Sequence, residues 1–224
     1  MISILLVKTF IRDLKGLCWL LDKERESVDW MSYIRTLKRI RNNKTNYRKR
    51  KALLIGRRNF ITIKTTNEHV HCQLIKPLLK GDKVLSFSNS KELAKYGWKG
   101  SSNNLSASFL VGLLLGKKML SKNNNSAVLY TGKTPFTSKV AACLKGIAFS
   151  GVEIPLSEDS LPDDDRINAS HVAGYASTLK SDKDLYNKRF SKLLRNNLNP
   201  EDYPKHFEEI KNKILSSDFS WGWI

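Results

Sequence analysis

Apolar and polar positions alternate in NFITIKTT (residues 59–66) and again in HVHCQLI (69–75). A period of two in segments rich in β-branched residues predicts two strands. The polar residues 66–68 between them predict the turn of a hairpin. LLKGDKVLSFSNS (78–90) continues the pattern, with Gly81-Asp82 as a second hairpin turn and a third strand after it.

Beyond YGWKGSSNN the period changes. In LSASFLVGLLLGKKML (105–120) the length, and the spacing of Leu105, Phe109, Gly112, Leu113 and Gly116, predict a buried helix. Gly112 and Gly116 would let another backbone approach closely. The run is too short to span a bilayer. SAVLYTGK (126–133) reads as a short apolar strand. SKVAACLKGIAFSG (138–151) follows as a helix, with Ser138 as its N-cap and Gly151 as its stop. Strand, loop and helix in that order predict an α/β unit. The last third differs: SEDSLPDDDRI (157–167) is an acidic loop. LYNKRFSKLLRNN and PEDYPKHFEEIKNKIL predict helices, the second with Asn199 as N-cap and Pro200 as first helical residue. No internal repeat is present.

Charge changes the picture most. The 224 residues hold 39 Lys+Arg against 21 Asp+Glu, a net charge of +18. Such a balance predicts a polyanionic partner, nucleic acid or an acidic membrane surface. Residues 31–58 carry eleven Lys and Arg and no Asp or Glu, interleaved with Tyr33, Tyr47, Asn42, Asn43 and Asn46. Cations without counter-charges repel one another unless an anion neutralises them. Arg grips phosphate through two parallel bonds, Tyr stacks on unpaired bases and Asn reads base edges. Cys18, Cys72 and Cys143 are an odd number far apart, which argues against a disulfide framework and for a reducing compartment. The apolar start MISILLV precedes its charges rather than following them, unlike a signal peptide.

Three motifs invite catalytic readings. NEHVHCQL (67–74) offers two histidines and a cysteine, but on a strand His69 and His71 face one way and Cys72 the other. His171 and His206 lie in distant segments, so no metal set is expected. TGKTPF (131–136) offers Gly-Lys-Thr, yet the glycine a P-loop needs five residues before Gly132 is Ala127. EDSLPDDDR (158–166) is rich in carboxylates, but they are contiguous, whereas two-metal nucleases gather ligands from several elements. A solvated acidic loop that pairs with basic neighbours fits better. No Ser/His/Asp or Cys/His set stands out. A magnesium-dependent nuclease and a peripheral membrane binder remain the competing readings.

TNYRKRKALL, KTTNEHVHCQLI, KGDKVLSFSNSKELAKYGWKGSSNNLSASFLVGLLLGKK, GVEIPLSEDSLPDDDRINASHVAGYA and FSKLLRNNLNPEDYPKHFEEIKNKIL occur in that order. Together, over about residues 31–215, they resemble the archaeal and eukaryotic type of large-subunit ribosomal protein L-eighteen. The YGWKG and EIPLSEDSLPDDDRI blocks are the most specific. The resemblance implies a structural 5S rRNA-binding protein of the central protuberance that attaches 5S rRNA to the large rRNA, in the cytoplasm. It implies ribosomal protein L-five and protein L-twenty-one-e as neighbours, with no catalysis, cofactor, metal or membrane.

The implied fold is α/β, a mixed sheet flanked by helices with ribonuclease-H-like topology, a basic N-terminal arm and a helical C-terminal extension. The corresponding segments are an unmatched extension (1–30), the arm (31–58), the α/β core (59–156), and the acidic loop with helical extension (157–224). Met31 stands about where the family begins, which makes it a candidate start. RNA contacts carry over to Arg35, Lys38, Arg39, Arg41, Lys44, Tyr47, Arg48, Arg50 and Lys51, with Arg57 and Arg58 completing the basic run. Lys64, Asn67 and His69 are expected near RNA from the strand-turn element, and Trp98 and Lys99 as an RNA- or loop-anchoring pair. Lys133 and Lys139 follow the family only loosely. The tail SWGWI, with Trp221 and Trp223, departs from it.

Overall fold

The computed structural model describes residues 36–42, 44–132 and 134–217. The extension 1–30, Arg35, Cys18, Lys133, Trp221 and Trp223 lie outside the described residues. The chain divides after Thr45 into two units. The first contributes one helical turn, α1 (Lys38–Arg41), with every side chain exposed. Its return is held locally: Arg39 Nε donates to Thr45 Oγ1 at 3.0 Å, and the Lys44 N–H to the Arg39 carbonyl at 2.9 Å.

The second unit opens with α2 (Tyr47–Ile55), capped by Asn46, whose side-chain oxygen accepts from the Lys49 N–H at 3.1 Å. The anticipated strands follow as β1 (Asn59–Thr65), β2 (Val70–Lys76) and β3 (Lys83–Asn89), joined as an antiparallel meander. In the first turn Asn103 Nδ2 donates to the carbonyls of Thr66 and Asn67, each at 2.8 Å. The short β4 (Ala127–Leu129) pairs parallel with β1, giving a mixed sheet in the order β3-β2-β1-β4.

One sheet face is covered. Ile61, Ile63, Val70, Cys72 and Leu74 point inward and are at most 2% exposed. They meet α3 (Leu105–Leu120) over β2 and β3, and α4 (Ser138–Phe149) over β1. Asn104 caps α3 by accepting from the Ala107 N–H at 2.7 Å. The anticipated close approach of another backbone holds at Gly112, where a Cβ would stand 2.0 Å from the Cys143 carbonyl oxygen. At Gly116 the near neighbour is instead a side chain, Ser150 Oγ at 1.9 Å, and a Cβ on Gly146 of the facing helix would stand 2.2 Å from the Phe109 carbonyl oxygen. At Gly112 and Gly146 backbone therefore lies on backbone along the α3–α4 seam, which admits no side chain at these two positions.

Among the described residues, four more α-helices form the C-terminal part: α5 (Asp164–Asn168), α6 (Ser170–Thr178), α7 (Lys183–Arg195) and α8 (Tyr203–Ser216). Phe207, Ile210 and Ile214 of α8 join the same core as α3. The described architecture is thus α/β, a four-stranded mixed sheet flanked by helices.

Several local expectations need correction. Thr137, not Ser138, occupies the cap position of α4, and it makes no side-chain cap bond; Ser138 is the first helical residue. Gly151 does end that helix, in the left-handed region at φ +98°. The acidic segment is only partly loop, since α5 starts at Asp164 and Ala169, at φ +60°, passes it directly into α6. Asn199 and Pro200 do open a helical segment, but as a 3₁₀ turn, Pro200–Asp202, ahead of α8. Pro204 has no N–H to give the Pro200 carbonyl, so the tighter bond from the Tyr203 N–H takes its place.

Candidate nucleic-acid interface

Helix α2 reads YRKRKALLI and has no buried residue and no carboxylate. A helix without an apolar stripe is not held by core burial. Its hold on the sheet comes from Arg50. That guanidinium makes a two-pronged ion pair with Asp82, one arm at 3.0 Å from Nη1 to Oδ2. It also lies 5.8 Å from the Phe60 ring centre and 5.6 Å from that of Tyr130. Hydrogen bonding to Asp82 pushes the Arg50 pKa up, against the opposing effect of burial. The hairpin residue Asp82 thus meets an expected RNA ligand, which turns its side chain inward to the protein.

With Arg50 so directed, Tyr47, Arg48, Lys49 and Lys51 are exposed on the helix. Arg57, in the left-handed region at φ +50°, and Arg58 extend the exposed cations to the start of β1. None of these five cations pairs with a carboxylate among the described residues. Lys49 belongs to this set although the family pattern did not single it out; its place in the unbroken basic run was the available signal. In the first unit Lys38, Arg41 and Lys44 are exposed, and Arg39 is exposed while bonded to Thr45.

Lys64, Asn67 and His69 sit at the other end of the β1–β2 hairpin. Lys64 is exposed and faces His71 across the ladder. The Asn67 carbonyl is held by Asn103 while the residue is exposed. His69 Nδ1 lies 3.1 Å from Ser90 Oγ, and its ring meets that of His71 edge-on at 6.5 Å. Phe87 stacks on His71 from β3 at 6.4 Å. Cys72 is fully buried on the opposite face, where burial, then the Cys143 thiol, pushes its pKa well up. The two histidines and the cysteine do not converge, and no cluster of three metal-ligating side chains occurs among the described residues.

Trp98 is placed within the core, 8% exposed, with its indole N–H donating to the Ser101 carbonyl at 3.2 Å. His206 stacks on it at 5.3 Å and Tyr203 meets it edge-on at 5.6 Å. The Lys99 N–H donates to His206 Nε2 at 3.1 Å, and the Lys99 carbonyl accepts from Asn196 at 2.8 Å. The YGWKG block thus ties α7 and α8 to the start of α3, with Trp98 buried, Tyr96 half-buried and the Lys99 side chain facing solvent. Burial lowers the His206 pKa; Lys99 and Lys213 add to the effect, and Glu209 opposes it. In the acidic segment Asp164 pairs with Lys145 at 2.8 Å, while Glu158, Asp159, Asp163 and Asp165 are solvated. Lys139 donates to Asn103 Oδ1 at 3.0 Å.

Comparison with known proteins decides the family. The family model for "Ribosomal large subunit proteins 60S L5, and 50S L18" matches residues 32–141. The large ribosomal subunit protein uL18 of Methanococcus maripaludis is 42% identical over 181 residues, which cover 80% of this chain and 94% of that protein. The chain belongs to the uL18 family. A uL18 protein is a structural, non-enzymatic, rRNA-associated constituent of the large ribosomal subunit in the cytoplasm. The exposed cations of α2 therefore stand in a protein that works by binding rather than by chemistry. No helix among the described residues is long and apolar enough to cross a membrane.

Proposed function

We propose that this chain binds 5S rRNA and attaches it to the large rRNA in the central protuberance, beside ribosomal proteins L-five and L-twenty-one-e. The observation that carries the reading is the uncompensated row of exposed cations on α2 and its continuation, Arg48, Lys49, Lys51, Arg57 and Arg58. Its binding mode is phosphate neutralisation, with Tyr47 available to stack on an unpaired base. Arg35, Lys38, Arg39, Arg41 and Lys44 extend the same arm over residues 31–58. Lys64, Asn67, His69 and Lys99 are secondary contacts. Arg50 serves RNA indirectly, by orienting α2, and Trp98 by anchoring its loop.

The finer topology is part of the proposal. Three antiparallel strands with β4 parallel to β1 support a ribonuclease-H-like sheet. So does the parallel bridge Ser126–Glu153 beside β4.

The test is a gel shift of the full chain on 5S rRNA at near-physiological salt, with excess transfer RNA as competitor. A complex that survives the competitor supports specific 5S recognition. One that is lost leaves only a polycation and overturns the reading.

A further inference from the structure

A second candidate binding place lies away from α2. A cavity of about 580 Å³ opens between the YGWKG loop, the start of α3, the α5–α6 junction and α7. Its size falls in the range of sites that hold small molecules, roughly 300 to 1,000 Å³. Leu105, Val172 and Leu193 give it apolar walls, and Lys139, Arg166 and Lys192 bring three cations to it. No carboxylate lines it.

Three cations around one cavity repel each other unless an anion joins them. The nearby acids do not supply one: Asp164 pairs with Lys145 and lies outside the lining. Lys139 is oriented by a neutral carboxamide, Asn103 Oδ1 at 3.0 Å, which leaves its charge uncompensated. Arg166 and Lys192 pair with no carboxylate among the described residues. A purely structural cluster would pair its cations with acids. A flat phosphate-backbone surface would have no use for an apolar-walled recess.

We infer that this cavity takes one nucleotide unit, an unpaired base against Leu105, Val172 and Leu193 with its phosphate held by Lys139, Arg166 and Lys192. The unit is supplied by RNA or by a free mononucleotide. Only the RNA source rests on the function proposed above. Both sources fit the same walls, because the flat face of a base is largely apolar and can bury itself against aliphatic side chains whichever base it is.

The test compares the full chain with the double variant Arg166→Ala/Lys192→Ala. Both side chains are exposed, and an unchanged melting temperature verifies the fold. Each protein is titrated with 5S rRNA and with large-subunit rRNA over a salt series, and calorimetrically with adenosine 5′-monophosphate. With RNA as the source, the double variant loses about 1.4 from the salt slope on at least one RNA, about 0.7 per single-stranded contact. With a free nucleotide as the source, the wild-type chain binds the monophosphate and the variant loses that binding, with RNA slopes unchanged. Equal slopes and affinities on both RNAs, together with no monophosphate binding by the wild-type chain, overturn the inference. Failure of the wild-type chain to bind either RNA overturns the proposed function instead; the monophosphate titration then decides the cavity alone.

Discussion

Helices α2 and α3 show how differently one chain uses the same secondary structure. In α3 the residues 106–116 and Met119 are all buried. In α2 none is. Helix α3 carries two serines whose hydroxyls find carbonyls inside the protein, Ser106 to Ile167 at 2.6 Å and Ser108 to Asn104 at 2.8 Å. Helix α2 carries three cations whose heads stay in water, Arg48, Lys49 and Lys51, beside Arg50, which turns to Asp82. The first is held by packing, the second by a cap and one ion pair. On the proposed reading stability and binding are separable in this protein, since the buried residues of α3 and the exposed cations of α2 are different residues on different helices.

Substitutions can break that separation or sharpen it. The largest effect is expected at the α3–α4 seam. Gly112→Ala drives a methyl group into the Cys143 carbonyl, 2.0 Å away, and must push the two helices apart. A loss of about 3 kcal/mol is expected in chemical denaturation, at the upper end of overpacking costs. RNA affinity per folded molecule should hold; an affinity loss larger than the unfolded fraction would tie the core to binding.

Next comes the converse variant. Arg48→Ala, Lys49→Ala and Lys51→Ala together should leave the melting temperature unchanged. Affinity for 5S rRNA should fall at least about tenfold, and the salt slope should flatten by roughly 0.7 to 0.9 per lost contact. An unchanged slope measured by filter binding removes α2 from the interface.

Asp82→Asn tests the link between the two regions. It weakens the hold on Arg50 and should cost about 1 kcal/mol in urea unfolding, the scale of a partly exposed charged pair. It should reduce RNA binding mildly by loosening α2. A tighter RNA complex would instead mean that freed Arg50 binds phosphate directly.

The smallest effect is a pH dependence. The folded pKa of His206 lies below its ordinary value of 6.5, chiefly through burial, so the unfolded chain binds the extra proton more readily. Stability from this residue is present above about pH 6.5 and declines as pH falls through that value toward the lower folded pKa. Protonation also costs the Lys99 N–H its acceptor at Nε2. Melting temperatures at pH 7.5 and 5.5 should differ less in His206→Gln than in the wild-type chain. An equal difference in both assigns the effect to other groups.

Much of the fold was readable along the chain because its signals are local. The β1–β2 hairpin follows from alternation, and Cys72 is buried opposite His71 as that period requires. Helix α3 has the expected ends, since a long apolar run between Asn104 and Ser121 admits few alternatives. Helices α5 and α6 were not readable: SLPDDDRINASH has turn residues throughout, and burial of Ile167 and Ala176 against other elements overrides them. Helix α2 was hidden by its charge, because a basic run has no apolar period to detect.

Candidate site residues divide on the same line. Charge alone marked the α2 cations, and the family pattern added Lys64 and His69. Neither could separate Arg50 from Arg48, because the difference is a partner 32 positions away.

The sequence by itself determined that this chain carries a large positive surplus concentrated in one acid-free stretch. It also determined three strands, the buried helix and the order of motifs that mark the uL18 family, all set by nearest neighbours and periodicity. Only the tertiary structure decided which cations face water, that Trp98 is an anchor within the core, and that Lys139, Arg166 and Lys192 meet at one cavity. Those outcomes depend on residues far apart in the chain, and a side chain's partner is fixed by packing rather than by its neighbours in sequence.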